Sequence, residues 1–240
     1  MVRTRRRPPA PAKLSQHKVK WTERWKEIHA RRRTGGWATK TAKQVLQRAL
    51  YPLTHGKCAF CESKLDKTSH PEIDHYVPKS IDPDLAFEWT NLLPACRLCN
   101  EAKGCQNHNN ALLKPDAEDP EPYFWINRDS GELEAAPKLS RAEKKRAEET
   151  IRLCDLQRGS LCESRLHILR WANRWLAHAS ACTDALTEEL VDEWNELADP
   201  GTEHKLVLRH VLASHDEKAL VREDRRRFAR SGKPGRRRFV

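Results

Sequence analysis

The chain has 240 residues, 38% of them hydrophobic, with 45 Lys+Arg against 34 Asp+Glu and a formal net charge of +11. That length buries a sizeable core without disulfides, and the positive balance points to a polyanionic partner, nucleic acid first. No apolar run approaches the roughly 20 residues that span a bilayer. The arginine-rich start also lacks the apolar stretch of a secretion signal, so a cytoplasmic location is expected, where the eight cysteines serve as metal ligands or buried thiols rather than disulfides.

Residues 1–20 carry Arg3, Arg5, Arg6, Arg7, Lys13, Lys18 and Lys20, no acidic residue, and Pro8, Pro9 and Pro11. Such a segment buries too little apolar surface to order itself and is expected as a basic disordered arm. N-terminal helices follow over 21–54. Trp21, Trp25 and Ile28 recur at i, i+4 and i+7, which predicts an amphipathic helix to about Arg33, ended by Gly35 and Gly36. Tryptophans at that spacing pack into a core more often than they stack on bases. A second short helix from about Thr39 to Leu50 has Val45, Leu46, Ala49 and Leu50 on its buried side.

The centre is 55–108. Cys58 and Cys61 follow Gly56 and Lys57 at a tight turn, and Cys96 and Cys99 form a second Cys-x-x-Cys pair. Two such pairs suit four thiolates closing tetrahedrally around one structural Zn²⁺. Glu72 to Val77 alternates polar and apolar residues, as a short strand stopped by Pro78 does, while Asn91 to Gly104 reads as a loop entering a helix.

Residues 109–214 open with an acid- and proline-rich connector through Pro122. Tyr123 to Ile126, the turn residues Arg128-Asp129-Ser130-Gly131, and Glu132-Leu133 predict a small hairpin. Ser140 with Glu143 and Ser160 with Glu163 each form a capping box and mark helix starts. The first helix buries Ala147, Ile151 and Cys154, the second Leu161, Leu169, Ala172, Trp175 and Leu176. Two more run from about Leu186 to Leu197 and about Glu203 to Ser214, separated by Pro200-Gly201. Cys154, Cys162 and Cys182 are expected as small buried residues on helices. A basic tail over 215–240 mirrors the opening arm.

Between the cysteine pairs stand Asp74, His75 and Pro78, then Asn91, with Asn100 directly behind the last cysteine. Phosphodiester hydrolysis needs an activated water and charge stabilisation. A histidine near its ordinary pKa of about 6.5 supplies the base at neutral pH, and a divalent cation the stabilisation. Asp74 and Asn100 both offer oxygen, which suits a hard catalytic cation, Mg²⁺ or Mn²⁺. On a helix, Cys96 and Cys99 share a face while Asn100 is rotated by about 100° and looks elsewhere. Lys79, Arg97 and Lys103 are candidate phosphate contacts, and His70 and His108 are weaker candidates. Cys105 with His108 has metal-like spacing but lacks two further ligands.

The pattern Cys58-x-x-Cys61, Asp74-His75-x-x-Pro78, Asn91-Leu92, Cys96-x-x-Cys99-Asn100 and Lys103 resembles the zinc-stapled subgroup of the HNH endonuclease family. The resemblance implies an α+β, mostly helical chain with a ββα-metal core, flanking helices and a small hairpin. It implies His75 as general base, Asp74 and Asn100 as ligands of the catalytic metal, and Asn91 as the brace of the histidine loop. Asn100 stands where the family's name has its final histidine. From about Lys57 to Arg174 the runs EIDHYVPKS, FEWTNLLPACRLCNEAKG and RLCDLQRGSLCESR resemble more narrowly the PtuB-type HNH nucleases of Septu- and retron-type bacterial defence systems. That resemblance implies a PtuA-like ATPase partner docking on apolar stripes of the carboxyl-terminal helices. The first hypothesis is a metal-dependent nuclease acting on DNA as the effector of an anti-phage system, which nothing in the sequence separates from one acting on RNA. An RNase toxin cutting tRNA or another RNA, and a zinc-stapled binder without catalysis, are the alternatives.

Overall fold

The computed structural model describes residues 7–31, 40–65, 71–108, 111–181 and 186–213. Gly35, Gly36, His70, Cys182 and the basic tail lie outside them.

Helix α1 spans Ala12–Ala30, so residues 12–20 of the segment expected to be disordered are helical. Composition misleads there because partners far along the chain order it. Leu14, Trp21 and Trp25 are buried, and the Arg7 guanidinium bonds Asp116 Oδ2 at 2.7 Å and the carbonyls of Trp89 and Leu92 at 2.8 Å. Trp89 in turn donates its indole N–H to the Pro8 carbonyl at 2.8 Å. Helix α2, Lys40–Leu50, buries Ala42, Leu46 and Leu50, with Val45 and Ala49 at its half-buried margin.

Strands β1, Glu72–His75, and β2, Leu92–Ala95, pair antiparallel with Asp74 opposite Leu93 and His75 opposite Leu92. The second strand replaces the expected loop. Pro94 argued against a strand, but in a two-stranded sheet its missing N–H costs nothing on the open side, and its carbonyl accepts from Ala59 N at 2.9 Å. Helix α3, Arg97–Lys103, follows at once with Cys96 at its N-cap.

A second hairpin joins β3, Phe124–Ile126, to β4, Leu133–Ala135, as the turn residues predict. Gly131 closes it at φ +73°, and a Cβ there would stand 2.3 Å from the Cys162 carbonyl oxygen, so the helix that carries Cys162 packs directly on the turn. Helix α4, Arg141–Leu153, begins with the Ser140/Glu143 capping box. Helix α5 runs Gly159–Ala181. Its Ser160 therefore sits inside the first turn rather than at the expected N-cap, and Leu161 N and Cys162 N bond the Arg158 carbonyl instead.

Helices α6, Glu188–Ala198, and α7, Lys205–Ala213, complete the described chain. The segment entering α7 is tied to the cysteine turn: Lys57 Nζ donates to Thr202 O at 3.0 Å, Lys64 N to Glu203 Oε1 at 2.7 Å, and Leu206 N to Glu62 Oε2 at 3.1 Å. The apolar residues Leu206, Val207, Leu208, Val211 and Leu212 are buried. Among the described residues no large hydrophobic of α4 to α7 is fully exposed, and Ile151, Trp171 and Trp194 remain half-buried, so the stripes expected to receive a partner are packed mostly on the protein's own core. No helix among the described residues is long and apolar enough to cross a membrane.

Candidate metal centre and catalytic cleft

The first cysteine pair sits on a turn in which Cys58 N bonds Ser63 O at 2.9 Å and Glu62 N bonds Cys58 O at 3.1 Å. The second occupies the N-cap and first turn of α3, where three-residue spacing puts both sulfurs on one side. The four Sγ atoms lie within 4.8 Å of one another, all in buried residues, and Cys61 and Cys96 are 3.8 Å apart. A tetrahedron with metal–sulfur bonds of about 2.3 Å has edges of about 3.8 Å, so the donor set fits one tetrahedral ion.

Arg158, in the turn between α4 and α5, places its guanidinium 3.5 Å from Cys99 Sγ and 3.9 Å from Cys96 Sγ and anchors on Asp155 O at 2.9 Å. Burial opposes its charge, yet the sulfurs of Cys99 and Cys61 hold its pKa above the ordinary value. Sequence reasoning missed this residue. It lies far from the cysteines in the chain, inside the run RLCDLQRGSLCESR that enters only through the resemblance.

Beside the sulfur cluster, β1, α2 and α3 enclose a cleft of about 370 Å³ lined by Asp74, His75, Asn100, Lys79, Lys43 and Glu72 among others. Asp74 is 1% exposed. Its Oδ1 accepts from Lys103 Nζ at 2.9 Å, and its Oδ2 is buried without a hydrogen-bond partner. Burial raises the carboxyl's pKa and Lys103 opposes that rise.

His75 is buried, with Nε2 2.9 Å from the Ala86 carbonyl. A carbonyl accepts only, so Nε2 carries the proton and the lone pair lies on Nδ1. Burial, aided by Lys79, lowers the imidazole to about 3, well below the ordinary value expected for it from sequence.

Asn91 holds the loop behind His75. Its Nδ2 donates to Val77 O at 2.9 Å and Leu85 O at 3.1 Å, and its Oδ1 accepts from Val77 N at 2.8 Å. Asn100 donates Nδ2 to Glu72 Oε2 at 2.6 Å. Glu72 is a second residue the sequence reading passed over, although strand alternation puts it on the same face as Asp74.

The basic candidates separate. Lys79 lines the cleft with its ammonium 4.1 Å from the Trp25 ring centroid. Arg97 is exposed on α3 and paired at 2.6 Å with Glu101, a residue of the cleft lining that Arg97 itself does not join. Lys103 is buried, committed to Asp74 and, at 2.7 Å, to the His75 carbonyl, because its helix position faces β1. His108 bonds the Tyr76 carbonyl at 2.6 Å, and Cys105 is exposed at the cleft. Cys154 and Cys162 are buried as expected, though Cys154 caps α4 rather than lying within it.

The donor set around Asp74 fits a hard cation. An orphaned buried carboxylate oxygen and a side-chain amide share one cleft, with Cys105 as its one lining thiol among the described residues.

Residues 58–106 match the family model for HNH endonucleases. The sulfur-stapled ββα unit is thus the part of the chain that matches the HNH endonuclease model, and the match is confined to it and its immediate flanks. Among its relatives is the Septu protein PtuB of Bacillus thuringiensis, 31% identical over 121 residues, which is 50% of this chain and 44% of that protein. The Septu protein PtuB of Bacillus mycoides is 26% identical over 157 residues, 53% of this chain and 52% of that protein. The chain spans about half the length of the curated relatives it matches.

Proposed function

We propose that this chain is a metal-dependent endonuclease that hydrolyses DNA phosphodiester bonds in the bacterial cytoplasm as the effector of a Septu-type anti-phage defence system. The observation that carries the reading is the meeting of Asp74, His75 and Asn100 in one cleft against the four-cysteine site. In this reading Zn²⁺ occupies the four sulfurs, and Asp74 Oδ2 with the Asn100 amide holds Mg²⁺ or Mn²⁺. When bound, that cation neutralises the charge developing on the phosphoryl oxygens.

The remaining roles belong to the chain. His75 is held neutral by burial and fixed in one tautomer by Ala86, so its Nδ1 takes the proton of the attacking water. The anionic phosphodiester raises the proton affinity of the adjacent ring as it enters, moving a weak base toward its working range. Asn91 keeps the ring in place by holding Val77 and Leu85. Lys79 and Lys43 offer positive charge to the flanking phosphates. Similarity to the PtuB proteins supports a PtuA-like ATPase partner.

The test is His75→Ala in the full, zinc-loaded chain. With Mg²⁺ or Mn²⁺, wild type cleaves DNA in preference to RNA of the same sequence. The variant loses at least about 100-fold in rate while keeping its zinc and its affinity for DNA. Undiminished cleavage by the variant returns the chain to a non-catalytic binder.

A further inference from the structure

Asn100 is a useful metal ligand only if its oxygen, not its nitrogen, faces the cation. A side-chain amide is symmetric in shape, so something must choose between its two ends. In this chain that choice is made by Glu72. The carboxylate accepts only, and it takes Asn100 Nδ2–H at 2.6 Å. Fixing the nitrogen prong of a planar amide fixes the oxygen prong too. Glu72 is placed to do this by the sheet: it stands two residues before Asp74 on β1, on the same face, while α3 packs against that strand.

We infer that Glu72 is a positioning residue of the catalytic metal site, orienting the Asn100 amide oxygen by accepting its N–H, and is not itself a ligand. The inference rests on the nuclease reading only for the use of the metal. Metal binding itself is measurable without any cleavage.

The distinction between brace and ligand has a chemical signature. Glutamine keeps a carbonyl oxygen that accepts from Asn100 but removes the carboxylate that a direct ligand would supply. Alanine removes both. The probe is Mn²⁺, titrated into the full zinc-loaded chain and read by electron paramagnetic resonance, with zinc content and urea midpoint recorded for each variant. Glu72→Gln is expected to bind Mn²⁺ within about threefold of wild type, and Glu72→Ala to lose about 10–100-fold, the usual cost of removing the partner that orients a metal ligand. The double variant Glu72→Ala/Asn100→Ala is expected to be no weaker than Asn100→Ala alone, because a brace has nothing to act on once its ligand is gone.

Equal loss in Glu72→Gln and Glu72→Ala makes Glu72 a ligand and overturns the inference. So does wild-type affinity in Glu72→Ala, or additive losses in the double variant. A chain that shows the expected order of Mn²⁺ affinities but cuts no nucleic acid upholds the brace and overturns the nuclease reading.

Discussion

Lys103 and Asp74, each with a side chain 1% exposed, form a buried ion pair in the wall of the cleft. Breaking such a pair from one side leaves a buried charge without compensation. Lys103→Met is therefore expected to cost about 3–5 kcal/mol of stability, read from urea unfolding of the zinc-loaded chain. Nucleic-acid binding should keep its salt dependence, because this ammonium is already committed to Asp74 and the His75 carbonyl. A shallower salt slope in the variant would restore Lys103 to the surface role its sequence position suggested. Arg158 invites a similar test. Arg158→Met keeps the bulk but removes the cation facing Cys99 and Cys96, and zinc transfer to a competing chelator should become about 10-fold easier or more; unchanged transfer would mean the sulfurs do not need it. The clustering of Cys58, Cys61, Cys96 and Cys99, and the meeting of Asp74, His75 and Asn100 in one cleft, could be anticipated from sequence because the chemistry proposed for them demands particular side chains at short spacings. Arg158 and Glu72 could not, since any acceptor or cation brought there by folding would do, and only the tertiary contact singles them out.

Helix α3 has seven residues, Arg97–Lys103, too short to persist alone in water. It carries Cys99 for the sulfur site and Asn100 for the cleft, so its survival couples the two. Removing zinc by chelation at neutral pH should release the amide protons of α3 to rapid exchange while α5, anchored by its own buried stripe, stays protected. Retained protection of α3 in the metal-free chain would separate the sites. At this scale the sequence was legible where periodicity or capping is local, as for α4 behind its Ser140 box. It was misleading where a long-range partner decides. Pro94 in β2 and the proline-flanked entry to α1 each carry a strong local signal against order, and each is overruled by a contact to a distant segment, Ala59 for the first and Asp116 for the second.

Both ends of the described chain close on the HNH domain: Arg7 clamps the loop before β2, and the segment before α7 clamps the cysteine turn. His204 belongs to the second closure and makes it sensitive to acid. It is 3% exposed, its Nε2 has no hydrogen-bond partner among the described residues, and its φ of 52° puts it in the left-handed region. Burial lowers its pKa to about 4, against the pull of Glu62 and Glu203 and with the repulsion of Arg165. In the unfolded chain a histidine takes up its proton near pH 6.5. Between about pH 6.5 and 4 the unfolded state therefore binds more protons than the folded one, and stability falls as pH falls, by up to about 1.4 kcal/mol per pH unit for this one group. His75, lowered in the same direction, adds to the slope. Asparagine tolerates the left-handed backbone and does not titrate. His204→Asn should thus lose less stability than wild type between pH 7 and pH 5, measured as the shift in urea midpoint, while part of the slope remains through His75. An identical acid shift in the two chains would mean that His204 is already charged or solvated in the fold, and that α7 does not seat on the cysteine turn as described.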